Sequence, residues 1–222
     1  MLRLLTVLAI VLFTPLVGSA ADRNILQTIV EGCLDTSAAN YCGRCRAPQW
    51  GQCPTGQGCR DTTEVWALTP DYVAIRDIKM CENCPTEFVH GLAMPRARVT
   101  GVEDPRRPEG IWRFAWDVAV TRIEKMKIAL VVNPPGVQRS QDQLHVHLVR
   151  LKDDMRPRLA QREPVTVERL EEVWTTAARR AAAKRLPSYG VVVVRSEGAG
   201  FLVLVEGASV EYEWTEARCG SK

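Results

Sequence analysis

Two of the chain's three histidines, His145 and His147, stand one residue apart in the run Gln143-Leu144-His145-Val146-His147-Leu148-Val149. Side chains alternate along an extended strand, so Gln143, His145 and His147 share one face while Leu144, Val146 and Leu148 share the other. The apolar face can seat on a core and hold the imidazoles rigidly. This suits a histidine whose lone pair attacks an electrophile or binds a metal. Taken alone, a His-x-His pair can also be no more than the polar side of an amphipathic strand, so its reading depends on its surroundings. The third histidine, His90, lies on the strand before Met94-Pro95 and reads as an ordinary half-exposed side chain.

Upstream of the pair, Ile128 to Val132 form an apolar strand, followed by Asn133-Pro134-Pro135-Gly136 and the polar run Gln138-Arg139-Ser140-Gln141. A strand, a Pro/Gly turn and a second strand make a hairpin-like unit with its polar groups gathered at one end. Further strands are expected at 64–68, 72–78, 87–94, 189–195 and 201–205. Trp112, Ala115, Trp116, Ala119 and Ile123 recur at helical spacing and predict a helix over 110–126, its tryptophans in the core. A second helix is expected over 167–186, with Glu168, Glu171 and Glu172 near its start and basic residues near its end, as the helix dipole favours. A short one is expected over 23–33. These elements describe an α+β fold with a mainly antiparallel sheet.

The first 20 residues hold Arg3, an apolar run from Leu4 to Val17 and the small residues Gly18-Ser19-Ala20. They read as a secretory signal, or as an uncleaved anchor, with residues 21–222 forming a single domain. The formal net charge of +3 excludes strong bulk attraction to nucleic acid. Basic residues cluster at Arg96, Arg98, Arg106 and Arg107, and again at Arg179, Arg180, Lys184 and Arg185. The second cluster reads as a solvated face. Eight cysteines, an even set behind an export signal, argue for disulfides in an oxidising compartment. The Cys42-x-x-Cys45 and Cys81-x-x-Cys84 spacings would signal zinc in a reducing compartment. Export favours cross-links here, and the Gly/Pro/Cys-rich stretch 35–63 reads as a cross-linked insertion.

The His145–His147 strand resembles the histidine-triad motif His-φ-His-φ-His-φ-φ, φ being apolar, with Gln143 in place of the first histidine. A narrower resemblance, to the bacterial CDP-diacylglycerol pyrophosphatases, runs through several segments. They are Ile29-Val30-Glu31-Gly32-Cys33-Leu34, Tyr72-Val73-Ala74-Ile75-Arg76-Asp77 and Leu92-Ala93-Met94-Pro95-Arg96-Ala97-Arg98-Val99, then Phe114-Ala115-Trp116, Asn133 with the His strand, Ser188-Tyr189-Gly190 and Cys219. The resemblance implies a histidine-triad-like fold and hydrolysis of the CDP-diacylglycerol pyrophosphate at a membrane surface of the cell envelope, with neither cofactor nor metal. It makes His145 the nucleophile and His147 a phosphate donor, with Arg98, Asn133, Ser140 and Gln143 around the substrate. The first Arg cluster, following Met94-Pro95, then reads as phosphate-binding. Gln143 would orient the nucleophile through its amide, and Cys33 would pair with Cys219. Two other readings share these residues: a periplasmic hydrolase of soluble nucleotides, and a disulfide-rich envelope binding protein without catalysis. Oligomeric state is not legible.

Overall fold

The computed structural model describes residues 23–32, 34, 64–81, 84–136 and 139–219. The expected signal at 1–20, Cys33 and the Cys-rich stretch 35–63 lie outside them.

Among the described residues eight strands form one sheet: β1 (Val65–Leu68), β2 (Tyr72–Arg76), β3 (His90–Pro95), β4 (Ile128–Val132), β5 (Val146–Arg150), β6 (Val165–Val167), β7 (Gly190–Arg195) and β8 (Phe201–Glu206). Their order across the sheet is β1-β2-β3-β5-β4-β7-β8-β6, every neighbouring pair antiparallel. The α+β expectation and the β4–β5 hairpin are both borne out. Among the described residues five helices cover the sheet: α1 (Ile25–Gly32), α2 (Ile111–Ala119), α3 (Met155–Ala160), α4 (Val173–Ala183) and α5 (Val210–Trp214).

Strand parity divides the packing. On one face Ala93, Leu130, Val146, Leu148 and Val193 meet α2 and α4 through Trp112, Trp116 and Trp174, which are core residues as expected. On the other face α1 sits on Val73, Ile75, Leu92 and Met94, while α3 and α5 sit on Ala129, Val131, Val149, Val192 and Leu204. Strands β4 and β7 are buried on both sides, which is why they read IALVV and GVVVVR without alternation. Between α1 and α5 the second face is left open. His147, paired in register with Leu92 and Val131, lies in that opening.

Two expected helices are shorter than their apolar period. The 110–126 segment leaves the α-helix after Ala119, where Val118, Val120 and Thr121 stiffen the chain and Thr121 Oγ1 donates to Val118 O. Residues 165–167 of the second segment's approach pair with β8 instead, and α4 begins only at Val173 after a 3-10 turn, Leu170–Glu172.

One cross-link differs from expectation. Cys219 is bonded to Cys84, 135 residues away in sequence, and not to Cys33. Folding brings the segment after α5 to the β2–β3 connection, where Cys84 sits. That bond removes Cys84 from any zinc set with Cys81.

Candidate active site

The opening between α1 and α5 is a cavity of about 690 Å³. One wall is apolar, built by Ile25 and Leu26 of α1 with Ile75, Ile78 and Leu92. The remainder is polar and includes His145, His147, Asn133, Glu211 and the cations Lys79, Arg139 and Arg218.

His145 lies just before β5, and its Nδ1 is 2.6 Å from the carbonyl oxygen of Gln143. A carbonyl only accepts, so Nδ1 carries the proton and the lone pair is left on Nε2. No described residue bonds Nε2. Burial pushes this imidazole below its ordinary pKa, so it is neutral at pH 7. A neutral histidine with a fixed tautomer, lining a cavity, is equipped for nucleophilic attack.

His147 is bound on both ring nitrogens. Nδ1 lies 3.0 Å from His90 Nε2, and Nε2 lies 3.5 Å from Glu211 Oε2 and 3.4 Å from Asn133 Nδ2. Asn133 Nδ2 donates to Glu211 Oε2 at 2.8 Å, while its Oδ1 accepts the Glu211 backbone N–H. Lys79 donates to the other carboxylate oxygen, Oε1. Burial acts to raise the Glu211 carboxyl, but its neighbours His147, His90 and Lys79 more than offset this and hold it below the usual carboxylate range. Burial lowers His147 well below its ordinary value and His90 to about 3.

His90 is therefore no half-exposed bystander. It is fully buried, with Asp77 Oδ2 3.9 Å from its Nε2 and Glu211 Oε1 at 3.4 Å. Asp77, His90 and His147 each bring a potential ligand atom within 4.8 Å of the others. A metal on His90 Nε2 would force the ring proton onto Nδ1, and Nδ1 is buried without a partner. Metal-bound histidines almost always donate that N–H. The ammonium of Lys79 already supplies the positive charge facing Glu211, so the cluster fits a hydrogen-bonded network and not a cation site.

The other expected site residues divide. Asn133 and Ser140 line the cavity, as do both histidines of the pair. Gln143 does not. Its Nε2 donates to Pro95 O at 2.7 Å and Ala97 O at 3.0 Å, and its Oε1 accepts the Val99 N–H at 3.4 Å. The orientation of His145 comes from the Gln143 carbonyl, while the amide pins the loop after β3. Arg98 also lies away from the cavity, exposed and bonded to Asn24 Oδ1. Its neighbours are spent elsewhere: Arg96 bonds the Thr69 and Pro70 carbonyls, and Arg106 and Arg107 bond Asp104. Among the described residues the cations lining the cavity are Arg76, paired with Glu64, Lys79, paired with Glu211, Arg139, paired with Glu103 and Asp142, and Arg218.

An imidazole with an unbonded Nε2 facing several cations is chemically suited to opening a phosphoanhydride, and the protein falls in the class of hydrolases. Within that class, the family model for CDP-diacylglycerol pyrophosphatase matches residues 71–186, just over half of the chain, and the chain belongs to that family. Membership implies CDP-diacylglycerol as the substrate. The matched stretch runs from β2 to the end of α4, so it holds both paired histidines, His90 and Asn133, and stops short of Glu211. No curated protein matches the chain.

Proposed function

We propose that the protein hydrolyses CDP-diacylglycerol through a nucleotidyl-histidine intermediate. His145 Nε2 attacks the phosphorus of the CMP half, forming a P–N bond as the anhydride P–O bond breaks, and phosphatidate leaves with the bridging oxygen. Water then cleaves the P–N bond, CMP departs, and the released proton passes to solvent. Phosphatidate is a stable anion and needs no proton to leave. Lys79, Arg139 and Arg218 offset charge on the pyrophosphate, and His147 Nε2–H donates to a phosphoryl oxygen.

The observation that carries the reading is the Gln143 carbonyl on His145 Nδ1, which leaves Nε2 as the free base. The apolar wall of Ile25, Leu26, Ile75, Ile78 and Leu92 favours a lipid over a soluble nucleotide, since burying hydrocarbon there gains about 25 cal/mol per Å². The test is to follow CMP release from CDP-diacylglycerol in mixed micelles and from a soluble CDP-alcohol side by side, with an alkaline quench to preserve the acid-labile P–N bond. The expected outcome is faster turnover of the lipid and a nucleotidyl mass increment on the peptide carrying His145. Equal or better turnover of the soluble compound would remove the lipid assignment, and a single-turnover quench without that increment would remove the covalent step.

The same reading takes residues 1–20 as an export signal and puts the enzyme at the envelope side of a membrane, which fits an oxidised Cys84–Cys219 pair. No described helix is long and apolar enough to cross a membrane. Fractionation of cells with terminal sequencing of the purified protein tests this.

A further inference from the structure

We infer that His90 is a positioning residue: its Nε2–H donates to His147 Nδ1 and thereby fixes the proton of His147 on Nε2, the nitrogen nearest Asn133 and Glu211. This rests on the reaction just proposed, in which His147 Nε2–H serves the phosphoryl oxygen.

Three facts about His90 lead there. First, every polar atom near its Nε2 is an acceptor or can be one: Asp77 Oδ2 at 3.9 Å, Glu211 Oε1 at 3.4 Å and His147 Nδ1 at 3.0 Å. Two carboxylate oxygens and a ring nitrogen around one atom are satisfied when that atom bears a proton. Second, its Nδ1 is buried and meets no partner. A bare lone pair is the less costly orphan there, because the opposite tautomer would bury an N–H without an acceptor. Third, His90 does not line the cavity while His147 does, so His90 acts only through its neighbour.

The remaining proton then has one place to go. Both rings are held neutral by burial and each has a single proton to position. With His147 Nδ1 accepting from His90, His147 must carry its proton on Nε2, 3.5 Å from Glu211 Oε2. Asn133 and Lys79 saturate the carboxylate from its other sides. The groups facing the pair are therefore Asp77 and Lys79 from the β2–β3 connection, Glu211 from α5, Asn133 from the β4–β5 turn and His145 before β5. Without His90, nothing else among the described residues donates to His147 Nδ1. The Glu211 carboxylate at 3.5 Å would then hold the Nε2 proton alone, and a fraction of the molecules would place the proton on Nδ1 and present a lone pair to the substrate oxygen.

The experiment uses the full chain labelled with ¹⁵N-histidine. Only three histidines are present, so long-range ¹H–¹⁵N spectra are sparse, and His145→Gln and His90→Gln assign them. The wild-type protein should show His147 as the Nε2–H tautomer at neutral pH; the Nδ1–H tautomer would overturn the inference. His90→Leu should lower kcat for CMP release by about 10- to 100-fold with KM unchanged, and His90→Gln, which places an amide N–H near the position of Nε2, should recover to within about threefold of wild type. A folded His90→Leu with wild-type kcat would also overturn it. If His90→Leu does not fold, the wild-type tautomer decides alone. The tautomer is read without turnover, so a protein that releases no CMP but shows Nε2–H on His147 would sink the proposed reaction and leave the His90 contact standing.

Discussion

His145 and His147 differ in what they lose when truncated. In the proposed reaction His145 contributes its Nε2 to chemistry, and among the described residues its one hydrogen bond is to a backbone carbonyl. His145→Ala should therefore abolish CMP release, falling by at least about 10³-fold, while the thermal midpoint moves little; turnover near wild type in a folded variant would remove His145 from the nucleophile's place. His147→Ala should cost less, about 10²- to 10³-fold, as loss of one oxyanion donor does elsewhere. The pH dependence has a definite sign. Attack needs neutral His145, and burial lowers its pKa, so kcat should stay level as pH falls through about 6.5 and decline only below that. Stability works in the same window with the same sign. The unfolded chain gains protons on its histidines below about 6.5 while the folded protein refuses them, so stability falls with pH there and circular dichroism must be read beside each rate.

At the scale of elements, two fixings decide whether those residues meet. The Gln143 amide spans three backbone groups of the loop after β3, so Gln143→Leu strands two carbonyls and one N–H and should lower stability by about 2–4 kcal/mol in urea titration, with a smaller drop in kcat through His145. At Gly190, the first residue of β7, an added Cβ would meet Val210 Cγ2 at 2.7 Å, Pro134 Cδ and Val132 O at 2.9 Å. Val210 precedes Glu211, so Gly190→Ala should push α5 outward and lower kcat several-fold more than Gly207→Ala, whose nearest neighbour is a leucine methyl at 3.3 Å. The His pair was legible because strand parity is local: residues two apart share a face wherever the strand lies. His90, Asp77, Lys79 and Glu211 were not, since only the antiparallel pairing of β3 with β5 and the return of α5 over β4 and β7 bring them to that face. One signal for α5 was present. Ser209 before Val210-Glu211 is a helix-start pattern, with Trp214 one turn on from Val210, and it marks the short helix that carries the missed carboxylate. Gln143 and Arg98 misled for the converse reason: parity and proximity to Met94-Pro95 say nothing of which backbone groups compete for a side chain.

Across the whole molecule, the site draws on both ends of the described chain, and the Cys84–Cys219 bond ties the C-terminal end to the β2–β3 connection beside it. Cys84 Sγ lies 3.3 Å from the Lys79 carbonyl, while Arg218 lines the cavity and donates to Tyr212 Oη. Cutting a loop of this length should cost roughly 2–5 kcal/mol in the chain-entropy picture, so Cys84→Ser should unfold at lower urea than wild type, and non-reducing peptide maps of wild type should join the Cys84 and Cys219 peptides. Finding Cys219 joined to Cys33 instead would contradict the fold described above. The position of Glu211 also sets an order in time. A polypeptide emerging from the ribosome displays Asp77, His90 and the His145–His147 pair long before it can supply the carboxylate that organises them. On the proposed reaction, catalysis begins only after α5 has crossed the sheet, and a nascent chain carries all three histidines without the carboxylate beside them.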